Sequence, residues 1–363
     1  MSIHFHKVKI KDIRKETNDC VSISFEIPNS LRDSFSFQHG QNITIKTDID
    51  GEEARRSYSI CSSPFDKELR VAVKKVEGGT FSTLANSMLK VGDELEILPP
   101  TGKFNTTLDL NNKKKYLAFA AGSGITPVIS IIKTTLQTEL HSSFTLVYGN
   151  RSRASIIFFE ELEGLKNKYM DRFSLVHVLS RERTDSLINY GRINIEKLLE
   201  LSKLLDYSSQ DEIFICGPET MIFGVKEFLE QKGIDKKKIH FELFTTPGVK
   251  KSPTGSVQAW AQKPVATERA KSKITIKLDG RRFDFDLGFN DDAILDAALK
   301  QGADLPYACK GGVCCTCKAR LLEGQVAMDV HWGLEDEEIQ QGYILTCQSH
   351  PTTDKVVVDF DIK

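Results

Sequence analysis

The chain has 363 residues, a formal charge of −1 and an ordinary globular composition, with 40% hydrophobic and 27% charged residues. At ~150 residues per domain, this length predicts two or three domains, each large enough to bury its own core. The composition excludes collagen-like, disordered and small disulfide-stapled chains. The near-zero charge provides no basic field that would attract nucleic acid.

Neither a secretory nor a membrane-spanning segment is indicated. The N-terminal sequence MSIHFHKVKIKDI alternates apolar and charged residues and lacks the apolar region of a signal peptide. The longest apolar stretch, residues 116–132, is interrupted by Gly122, Ser123, Gly124 and Pro127 and is too short to span a membrane. We therefore expect a cytoplasmic protein that is not itself a membrane protein and whose thiols stay reduced.

The first ~105 residues have the pattern of an all-β domain, with short runs rich in β-branched residues. Turn signals such as His39-Gly40 and Gly78-Gly79 separate these runs. Several short strands at this spacing predict a closed antiparallel barrel. The predicted strands cover residues 21–27, 42–46, 69–76 and 94–98.

From Lys113 onward, apolar runs alternate with helical patterns. This βαβ succession predicts a parallel sheet covered by helices. The predicted strands are residues 116–121, 144–148, 173–178 and 212–216, and the predicted helices include 156–168 and 193–204.

Residues 249–271 have no clear period and predict a linker. A new strand pattern then begins at Lys273 and is followed by a predicted helix over residues 293–300. The last 92 residues carry 10 lysines and arginines against 16 aspartates and glutamates, a net charge of −6, so the rest of the chain carries +5. The acidic and the basic part could dock on each other or on a partner protein through their opposite charges. Alternatively, the difference in charge has no function and reflects two unrelated domains.

The cysteines are the most informative residues, because four of the eight lie between positions 309 and 317. Cys309, Cys314 and Cys317 are followed after 29 intervening residues by Cys347, which is plant-type [2Fe–2S] spacing. Three thiolates from one loop surround a small cluster, and the fourth arrives from a distant segment. The alternative is a structural zinc site, which favours two close cysteine pairs. We expect Cys315 to pack beside the ligands without being one.

Two further motifs resemble the ferredoxin–NADP reductase superfamily. The segment 56–59 (RSYS) resembles its R-x-Y-[ST] signature. The resemblance implies that Tyr58 gives a flat face for the FAD isoalloxazine, Ser59 a hydroxyl for N5 or O4, and Arg56 a fork for the pyrophosphate. Residues 78–82 (GGTFS) resemble its G-x-x-S segment, where backbone N–H groups bind the FAD phosphates. The implied FAD-binding residues are Arg56, Ser57, Tyr58, Ser59, Val73, Gly79, Thr80, Phe81 and Ser82.

Two more segments resemble the superfamily's nicotinamide-binding motifs. Residues 121–127 (AGSGITP) follow an apolar strand and open a helix, where a diphosphate can approach the backbone. Residues 216–218 (CGP) end a predicted strand, and the resemblance implies that Ser59, Thr126 and Cys216 surround the site of hydride transfer. The implied nicotinamide-nucleotide ligands are Gly122, Gly124, Thr126, Arg151, Ser180, Arg181, Arg192, Gly217 and Pro218.

The arginines favour NADPH over NADH, because a guanidinium fork suits a 2′-phosphate and gains nothing from a bare ribose. Asn194 departs from the tyrosine that some members carry two residues after the arginine at position 192. Glu242 and Phe244 lie where similar proteins place an acidic or aromatic residue near the flavin, although plain strand packing explains them equally well.

The C-terminal residues resemble a plant-type ferredoxin, and those from Met328 onward resemble the reductase subunits of phenylacetyl-CoA epoxidases. The resemblance implies a multidomain chain. We therefore expect an antiparallel FAD-binding β-barrel over residues 1–108, an α/β parallel-sheet NAD(P)-binding domain over 109–248, a linker over 249–271, and an α+β β-grasp ferredoxin domain over 272–363. The implied cluster ligands are Cys309, Cys314, Cys317 and Cys347.

This order of modules implies an NAD(P)H-dependent oxidoreductase that passes electrons from NADPH through FAD and a [2Fe–2S] cluster to another protein. The expected acceptor is an oxygenase component of the phenylacetyl-CoA epoxidase diiron type, with Rieske hydroxylases and fatty-acid desaturases as alternatives. The chain itself carries no set of E-x-x-H pairs for a diiron centre. Two other classes stay open: a redox-sensing binding module without catalysis, and a zinc-stapled structural protein.

Overall fold

The computed structural model describes residues 4–244 and 271–362. These residues form two compact units, one spanning Phe5–Phe244 and the other in the C-terminal part of the chain. The predicted linker lies outside the described residues, apart from Lys271. Among the described residues, no helix combines the length and the apolar character that crossing a bilayer requires.

The first half of the larger unit is an antiparallel sheet of six strands, as the turn spacing predicts. Apolar and polar residues alternate along its strands, so that one face of the sheet is buried: Val8 and Ile10 are buried, while their neighbours Lys7 and Lys9 are exposed. The elements are β1 (His6–Thr17), β2 (Cys20–Glu26), β3 (Asn42–Ile49), β4 (Glu52–Ser59), β5 (Leu69–Lys74), α1 (Thr80–Ser87) and β6 (Glu94–Ile97).

The six strands close into a barrel. Their order is β4-β3-β6-β1-β2-β5, and the two edge strands meet through a bridge between Ile60 and Val71. Next to this bridge the backbone N–H of Cys61 donates to the carbonyl of Arg70 at 2.8 Å. The closure leaves the end of β4, with Ser59, at the rim of the barrel.

The second half of the larger unit is a parallel sheet with helices, which confirms the predicted fold class. Its elements are β7 (Lys115–Ala121), α2 (Ile125–Thr138), β8 (Ser143–Asn150), α3 (Phe159–Lys168), β9 (Phe173–Leu179), α4 (Ile195–Leu201), β10 (Glu212–Gly217), α5 (Glu219–Gln231) and β11 (Ile239–Leu243).

All neighbouring strands of this sheet are parallel, in the order β11-β10-β7-β8-β9. Their carboxyl ends therefore share one edge, which is where ligands of open α/β sheets bind. The central strand β7 is an almost continuous apolar run because both of its faces are covered. The helix predicted from residue 156 begins only at Phe159, because Phe158 adopts a left-handed backbone conformation with φ +61°.

A buried carboxylate fixes the opposite edge of the sheet. Glu139, which is fully buried, accepts hydrogen bonds from the Tyr116 hydroxyl at 2.9 Å and the Ser142 hydroxyl at 2.6 Å. The side-chain amide of Asn112 and the backbone N–H of Asp109 also donate to it, at 2.7 and 3.1 Å. The carboxylate thus connects the segment before β7 with the turn before β8.

We expect Glu139→Ala to lower the free energy of unfolding of this unit by about 3 kcal/mol, because four donors, two of them on the buried residues Tyr116 and Ser142, lose their acceptor. Flavin fluorescence during urea denaturation measures this loss. Gln137→Ala, at an exposed position in the last turn of α2 and two residues before Glu139, is the matched control. Equal stability of the Glu139 and Gln137 variants would show that the network contributes nothing.

The C-terminal unit is an α+β fold with a five-stranded mixed sheet in the order β13-β12-β18-β14-β16, as predicted for a β-grasp domain. Of the strand pairs in this sheet that the structure describes, only β12–β18 is parallel. The elements are β12 (Lys271–Leu278), β13 (Arg281–Gly288), α6 (Ile294–Lys300), β14 (Lys318–Glu323), β15 (Val326–Met328), α7 (Asp336–Gln340), β16 (Tyr343–Leu345), β17 (Ser349–Pro351) and β18 (Lys355–Asp359).

Candidate functional site

A hydrogen bond joins the barrel to the parallel sheet. The Ser59 hydroxyl, at the end of β4, donates to Oε2 of Glu242 in β11 at 3.0 Å. In the adjacent strand β10, Cys216 is paired in register with Glu242. Three side chains from three strands and two sheets therefore meet at one point, and two of them are predicted site residues.

Burial disfavours the charged forms of the two ionisable groups at this junction, Glu242 and Cys216. Glu242 as a residue is only half-buried, but its carboxyl is enclosed, and burial raises its pKa to about 7 against the opposing effect of the Ser59 hydrogen bond. Burial also raises the pKa of the Cys216 thiol well above its usual value, with the carboxyl of Glu242 adding to the shift. Near neutral pH the junction thus holds a protonated thiol and a carboxyl poised to gain or lose a proton.

The glycine loop at residues 121–126 lies directly against β10. A Cβ on Gly124 would fall 2.1 Å from the carbonyl oxygen of Cys216, so only glycine permits this approach. Gly122 has a φ of +55°, and its carbonyl accepts from the Tyr148 hydroxyl at 2.9 Å. Thr126 is buried, and its hydroxyl donates to Ser123 within the loop at 3.0 Å.

The loop and the two helices beside it offer backbone donors. Helix α2 begins without a side-chain cap, and so does α5, whose N-cap is Pro218. Uncapped helix starts present N–H groups and a positive dipole end to an anion. Gly217, between Cys216 and Pro218, lies beside Ala121, because a Cβ there would be 3.2 Å from that alanine's Cβ. This arrangement fits a dinucleotide diphosphate.

Sequence reasoning missed two residues at this edge. The ammonium of Lys74, at the end of β5, lies 3.9 Å from the position a Cβ would take on Gly122 and 3.7 Å from a carboxylate oxygen of Asp19. The side-chain amide nitrogen of Asn150, at the end of β8, is buried without a hydrogen-bond partner among the described residues. A lysine at the end of an apolar strand is a sequence signal that could have indicated Lys74 as a site residue. Nothing in the sequence around Asn150 distinguishes it from other polar residues at strand ends.

The candidate arginines cluster at the ends of β8 and β9. The backbone N–H of Arg181 donates to the carbonyl of Arg151 at 2.8 Å, and that of Ser180 donates to Asn150 at 2.9 Å. Arg192 follows Gly191, whose N–H donates to the last residue of β9 at 2.9 Å. All three arginine side chains are exposed, and within the described ranges none of them forms an ion pair. Such an arrangement suits a phosphate.

The predicted flavin residues of β4 line the barrel rim. The Tyr58 and Phe81 rings lie 5.4 Å apart, and burial raises the pKa of Tyr58, so its hydroxyl stays protonated. Arg56 is half-buried and donates from Nη1 to the carbonyl of Arg55 at 2.8 Å. The Ser57 hydroxyl lies 3.3 Å from that of Thr44.

The second predicted flavin segment offers its backbone more than its side chains. Helix α1 starts at the exposed Thr80 without a side-chain cap, and a Cβ on Gly79 would be 2.5 Å from the Ser82 hydroxyl. That hydroxyl accepts from the N–H of Val76 at 3.1 Å. Phe81 packs in the barrel core. The carbonyl of Val73, in β5, accepts from the side chain of Asn86 at 3.0 Å.

The four predicted cluster ligands lie together in two pairs, Cys309 with Cys314 and Cys317 with Cys347. Hydrogen bonds from the Cys314 thiol and from backbone N–H groups lower the pKa of Cys309, and the N–H groups of Gly311 and Cys314 lie 3.3 and 3.4 Å from its sulfur. Two thiols per iron suit a [2Fe–2S] cluster. In the described ranges, no three or more ligand side chains converge as a single metal ion requires.

Two further features of this loop fit an iron–sulfur cluster. The Thr316 hydroxyl is buried and has no hydrogen-bond partner within the described part of the chain. It lies between ligands, where a cluster sulfur accepts such a donor. Lys310, Gly312 and Cys315 have φ values of +49°, +73° and +57°, so the loop curls its backbone around the thiols.

Family models match three separate segments. An oxidoreductase FAD-binding domain matches residues 7–106, an oxidoreductase NAD-binding domain residues 119–227, and a 2Fe-2S iron-sulfur cluster binding domain residues 276–352. The order is the one predicted from the sequence, and the third match assigns the cysteine loop to an iron–sulfur cluster and not to zinc.

Curated relatives match over nearly the full length. The chain is 46% identical over 99% of its residues to one of the subunits of the 1,2-phenylacetyl-CoA epoxidase of Escherichia coli, covering 98% of that protein. It is 35% identical to the ferredoxin reductase component of 3-ketosteroid-9-alpha-monooxygenase from Rhodococcus rhodochrous, over 97% of this chain and 95% of that one. Phthalate dioxygenase reductase has the same fold, with a TM-score of 0.57, 21% identity and 98% of both chains covered.

We expect Glu242→Gln to change how stability depends on pH. Because the folded pKa of about 7 lies above the usual value of 4.5, the folded wild type binds a proton that the unfolded chain has lost, and stability falls as pH rises between the two values. The Tm of the variant relative to wild type should therefore increase from about pH 5 to about pH 8. Flavin release on heating measures it, with Glu227→Gln as an exposed control. A constant difference would contradict the buried carboxyl.

Proposed function

The chain belongs to the family of oxygenase reductase components that combine FAD-binding, NAD-binding and 2Fe-2S domains, and from this we propose that it delivers electrons from NADPH to the oxygenase component of a phenylacetyl-CoA epoxidase. It is an NAD(P)H-dependent oxidoreductase with FAD and a [2Fe–2S] cluster. The observation that carries the choice of acceptor is the 46% identity over nearly the whole of both chains.

FAD, when bound, accepts the electron pair of a hydride and releases electrons singly, and a [2Fe–2S] cluster carries one electron at a time. The protein's own task is to position these groups and to exclude water. We assign Ser59 and Cys216 to the wall of the hydride-transfer site, with Thr126 behind them. Glu242, hydrogen-bonded to Ser59, holds a proton beside the same site.

The nicotinamide nucleotide is held by charge and backbone donors. The uncapped start of α2 and the ammonium of Lys74 face the glycine loop, where the diphosphate binds in our proposal. We assign the exposed arginines at positions 151, 181 and 192 to the 2′-phosphate of NADPH. Three guanidinium groups at one edge of the sheet match the charge of a phosphate dianion.

We assign Cys309, Cys314, Cys317 and Cys347 as the cluster ligands. Backbone N–H groups already point at the Cys309 sulfur, so the loop supplies the hydrogen bonds that set a cluster's potential. Reduced thiols are required for assembly, which supports the proposal of a cytoplasmic location. The domain boundaries at residues 108, 248 and 271 are likewise part of the proposal.

The identity of the electron acceptor is the part of the proposed function with the fewest supporting observations. The ketosteroid reductase at 35% identity and the glycine betaine monooxygenase reductase subunit of Pseudomonas aeruginosa at 32% serve other oxygenases by name. Rieske hydroxylases and desaturases therefore stay as the alternative acceptors. The higher identity to the epoxidase protein favours the epoxidase. A non-catalytic redox sensor is not favoured, because the chain carries oxidoreductase FAD-binding and NAD-binding domains and matches reductase components over nearly its full length.

The purified chain mixed with the oxygenase subunits of the E. coli epoxidase, NADPH and phenylacetyl-CoA should form the epoxide. We expect Cys347→Ser to abolish this activity while sparing NADPH-dependent ferricyanide reduction, because the hydride-transfer site lies in the other compact unit. Product formation is measured by chromatography and ferricyanide reduction by absorbance.

The control for this experiment is Cys315→Ser, which changes a thiol in the same loop without removing a proposed ligand. Failure of the wild type to support epoxidation, while a ketosteroid oxygenase accepts its electrons, would overturn the proposed acceptor. Loss of both activities in Cys347→Ser would overturn the separation of the two electron-transfer steps.

We expect Arg181→Ala to raise the KM for NADPH by about tenfold and to leave the KM for NADH nearly unchanged, because a charge-assisted contact to the 2′-phosphate is lost. Steady-state ferricyanide reduction with each nucleotide measures both constants. Arg32→Ala, at an exposed position in the barrel half, is the control. Equal increases in the two KM values would remove the phosphate-binding role.

A further inference from the structure

We propose that Gln348 is a positioning residue that aims a backbone N–H group of residues 309–317, which we call the cluster loop, at the sulfur of Cys309 and thereby raises the reduction potential of the [2Fe–2S] cluster. This inference deepens the proposed function and rests on one part of it, the assignment of Cys309 as a cluster ligand. The group that Gln348 holds is the peptide unit between Lys310 and Gly311.

The Lys310–Gly311 peptide unit is held at both of its ends. Its carbonyl oxygen, on Lys310, accepts a hydrogen bond from the side-chain amide of Gln348 at 2.9 Å. Its N–H, on Gly311, lies 3.3 Å from the sulfur of Cys309, to which it donates. The C=O and the N–H of a trans peptide point in opposite directions within one rigid plane, so fixing the carbonyl also fixes the direction of the N–H.

The Gln348 amide bridges the two segments that carry the proposed ligands. Its nitrogen donates to the carbonyl of Lys310 in the cluster loop and also to the carbonyl of Cys347 at 3.0 Å. An amide nitrogen has two hydrogens, and both are used here. The reversed orientation would place the amide oxygen against two carbonyl oxygens, so the hydrogen-bond network admits only the orientation in which Gln348 donates.

The backbone from which this side chain extends is itself fixed. The N–H of Gln348 donates to the carbonyl of Leu345, and its carbonyl accepts from the N–H of Asp329, both at 2.9 Å. The stem of the side chain packs against the cluster loop, because a Cβ on Gly312 would lie 3.1 Å from Cγ of Gln348. The side chain therefore has little freedom to turn away from Lys310.

The peptide unit needs such a contact because of the backbone conformation at Lys310. Its φ is +49°, in the left-handed region, which a residue with a Cβ occupies at a cost in free energy. The ammonium of Lys310 lies 2.6 Å from a carboxylate oxygen of Asp296 and 4.7 Å from the centre of the Tyr307 ring. These contacts hold the lysine side chain, whereas Gln348 holds the carbonyl that sets the direction of the Gly311 N–H.

A hydrogen bond to a ligand sulfur has a direct electrochemical consequence. Reduction adds negative charge to a cluster and its sulfur ligands, and an N–H donor stabilises that charge, so each donor raises the potential. Cys309 also accepts from the N–H of Cys314 at 3.4 Å, but the contact with Gly311 is the one whose peptide unit is bonded to Gln348 on its other side. Loss of the Gln348 donor lets the left-handed turn relax and moves the Gly311 N–H off the sulfur.

The experiment measures the midpoint potential of the cluster in the full-length, cofactor-loaded protein by a redox titration followed by EPR. Gln348→Met keeps the length of the side chain and removes its donor. We expect the equilibrium constant for one-electron reduction of the cluster to fall about tenfold, which lowers the midpoint potential by about 59 mV. Gln348→Leu, which also lacks a donor but has a different shape, should give the same shift.

Gln341→Met, at an exposed position of the same compact unit, is the matched control and should leave the potential unchanged. The iron content and the EPR spin count show whether each variant holds a complete cluster. Hydrogen exchange at residues 309–317, measured by mass spectrometry, should become faster in Gln348→Met and stay at the wild-type rate in Gln341→Met.

A wild-type potential in Gln348→Met would overturn the proposal, as would a shift that Gln341→Met reproduces. Failure of both Gln348 variants to retain the cluster would also overturn it, because Gln348 would then serve cluster assembly and not the potential.

Cys309→Ser separates this role of Gln348 from the ligand assignment on which it rests. We expect this variant to lose or alter the EPR signal of the cluster. An unchanged signal would overturn the ligand assignment, and the role of Gln348 with it. An altered signal in Cys309→Ser together with a wild-type potential in Gln348→Met would overturn the role of Gln348 alone. The titration uses chemical mediators, so its result does not depend on which oxygenase accepts the electrons.

Discussion

The larger unit depends on one constraint: the rim of an antiparallel barrel must meet the carboxyl edge of a parallel sheet. The hydrogen bond from Ser59 to Glu242 joins these two edges. Each sheet alone offers half a site. The barrel supplies Tyr58 and the start of α1, and the parallel sheet supplies the glycine loop and Cys216. We propose that a flat ring and a nicotinamide lie face to face where the two sheets meet, so that the contact between the sheets fixes the geometry of hydride transfer.

The low charge that burial favours at this junction serves the same purpose. A buried carboxylate or thiolate would repel the electron-rich groups that hydride chemistry brings together. Burial keeps the Cys216 thiol protonated and raises the pKa of Glu242 to about 7, so near neutral pH the junction carries less negative charge than a solvated carboxylate would give it. In our proposal, positive charge is provided instead for the nucleotide's phosphate groups, by Lys74 and the arginines. The cysteine loop, which we propose carries single electrons, lies in a separate compact unit and adds no charge to this junction.

Local patterns predicted the modules and most of the strands, because alternation and apolar runs report burial directly. The cysteine spacing predicted the cluster loop, since three of the four proposed ligands are close in sequence. Contacts between distant segments could not be read in the same way. Lys74 approaches Gly122 only because the end of β5 packs against the glycine loop of the parallel sheet, and the unpartnered amide of Asn150 is apparent only when the edge of that sheet is assembled. The left-handed φ of Phe158, which delays a helix by three residues, has no signature in an apolar run.

The central claim is that one chain converts the electron pair of NADPH into single electrons through two separate units. Anaerobic titration of the purified protein with NADPH, followed by low-temperature EPR, tests it most directly. The account predicts a [2Fe–2S] signal that grows to about one spin per chain while the flavin absorbance bleaches. Flavin bleaching with no iron–sulfur signal, even after dithionite, would contradict it.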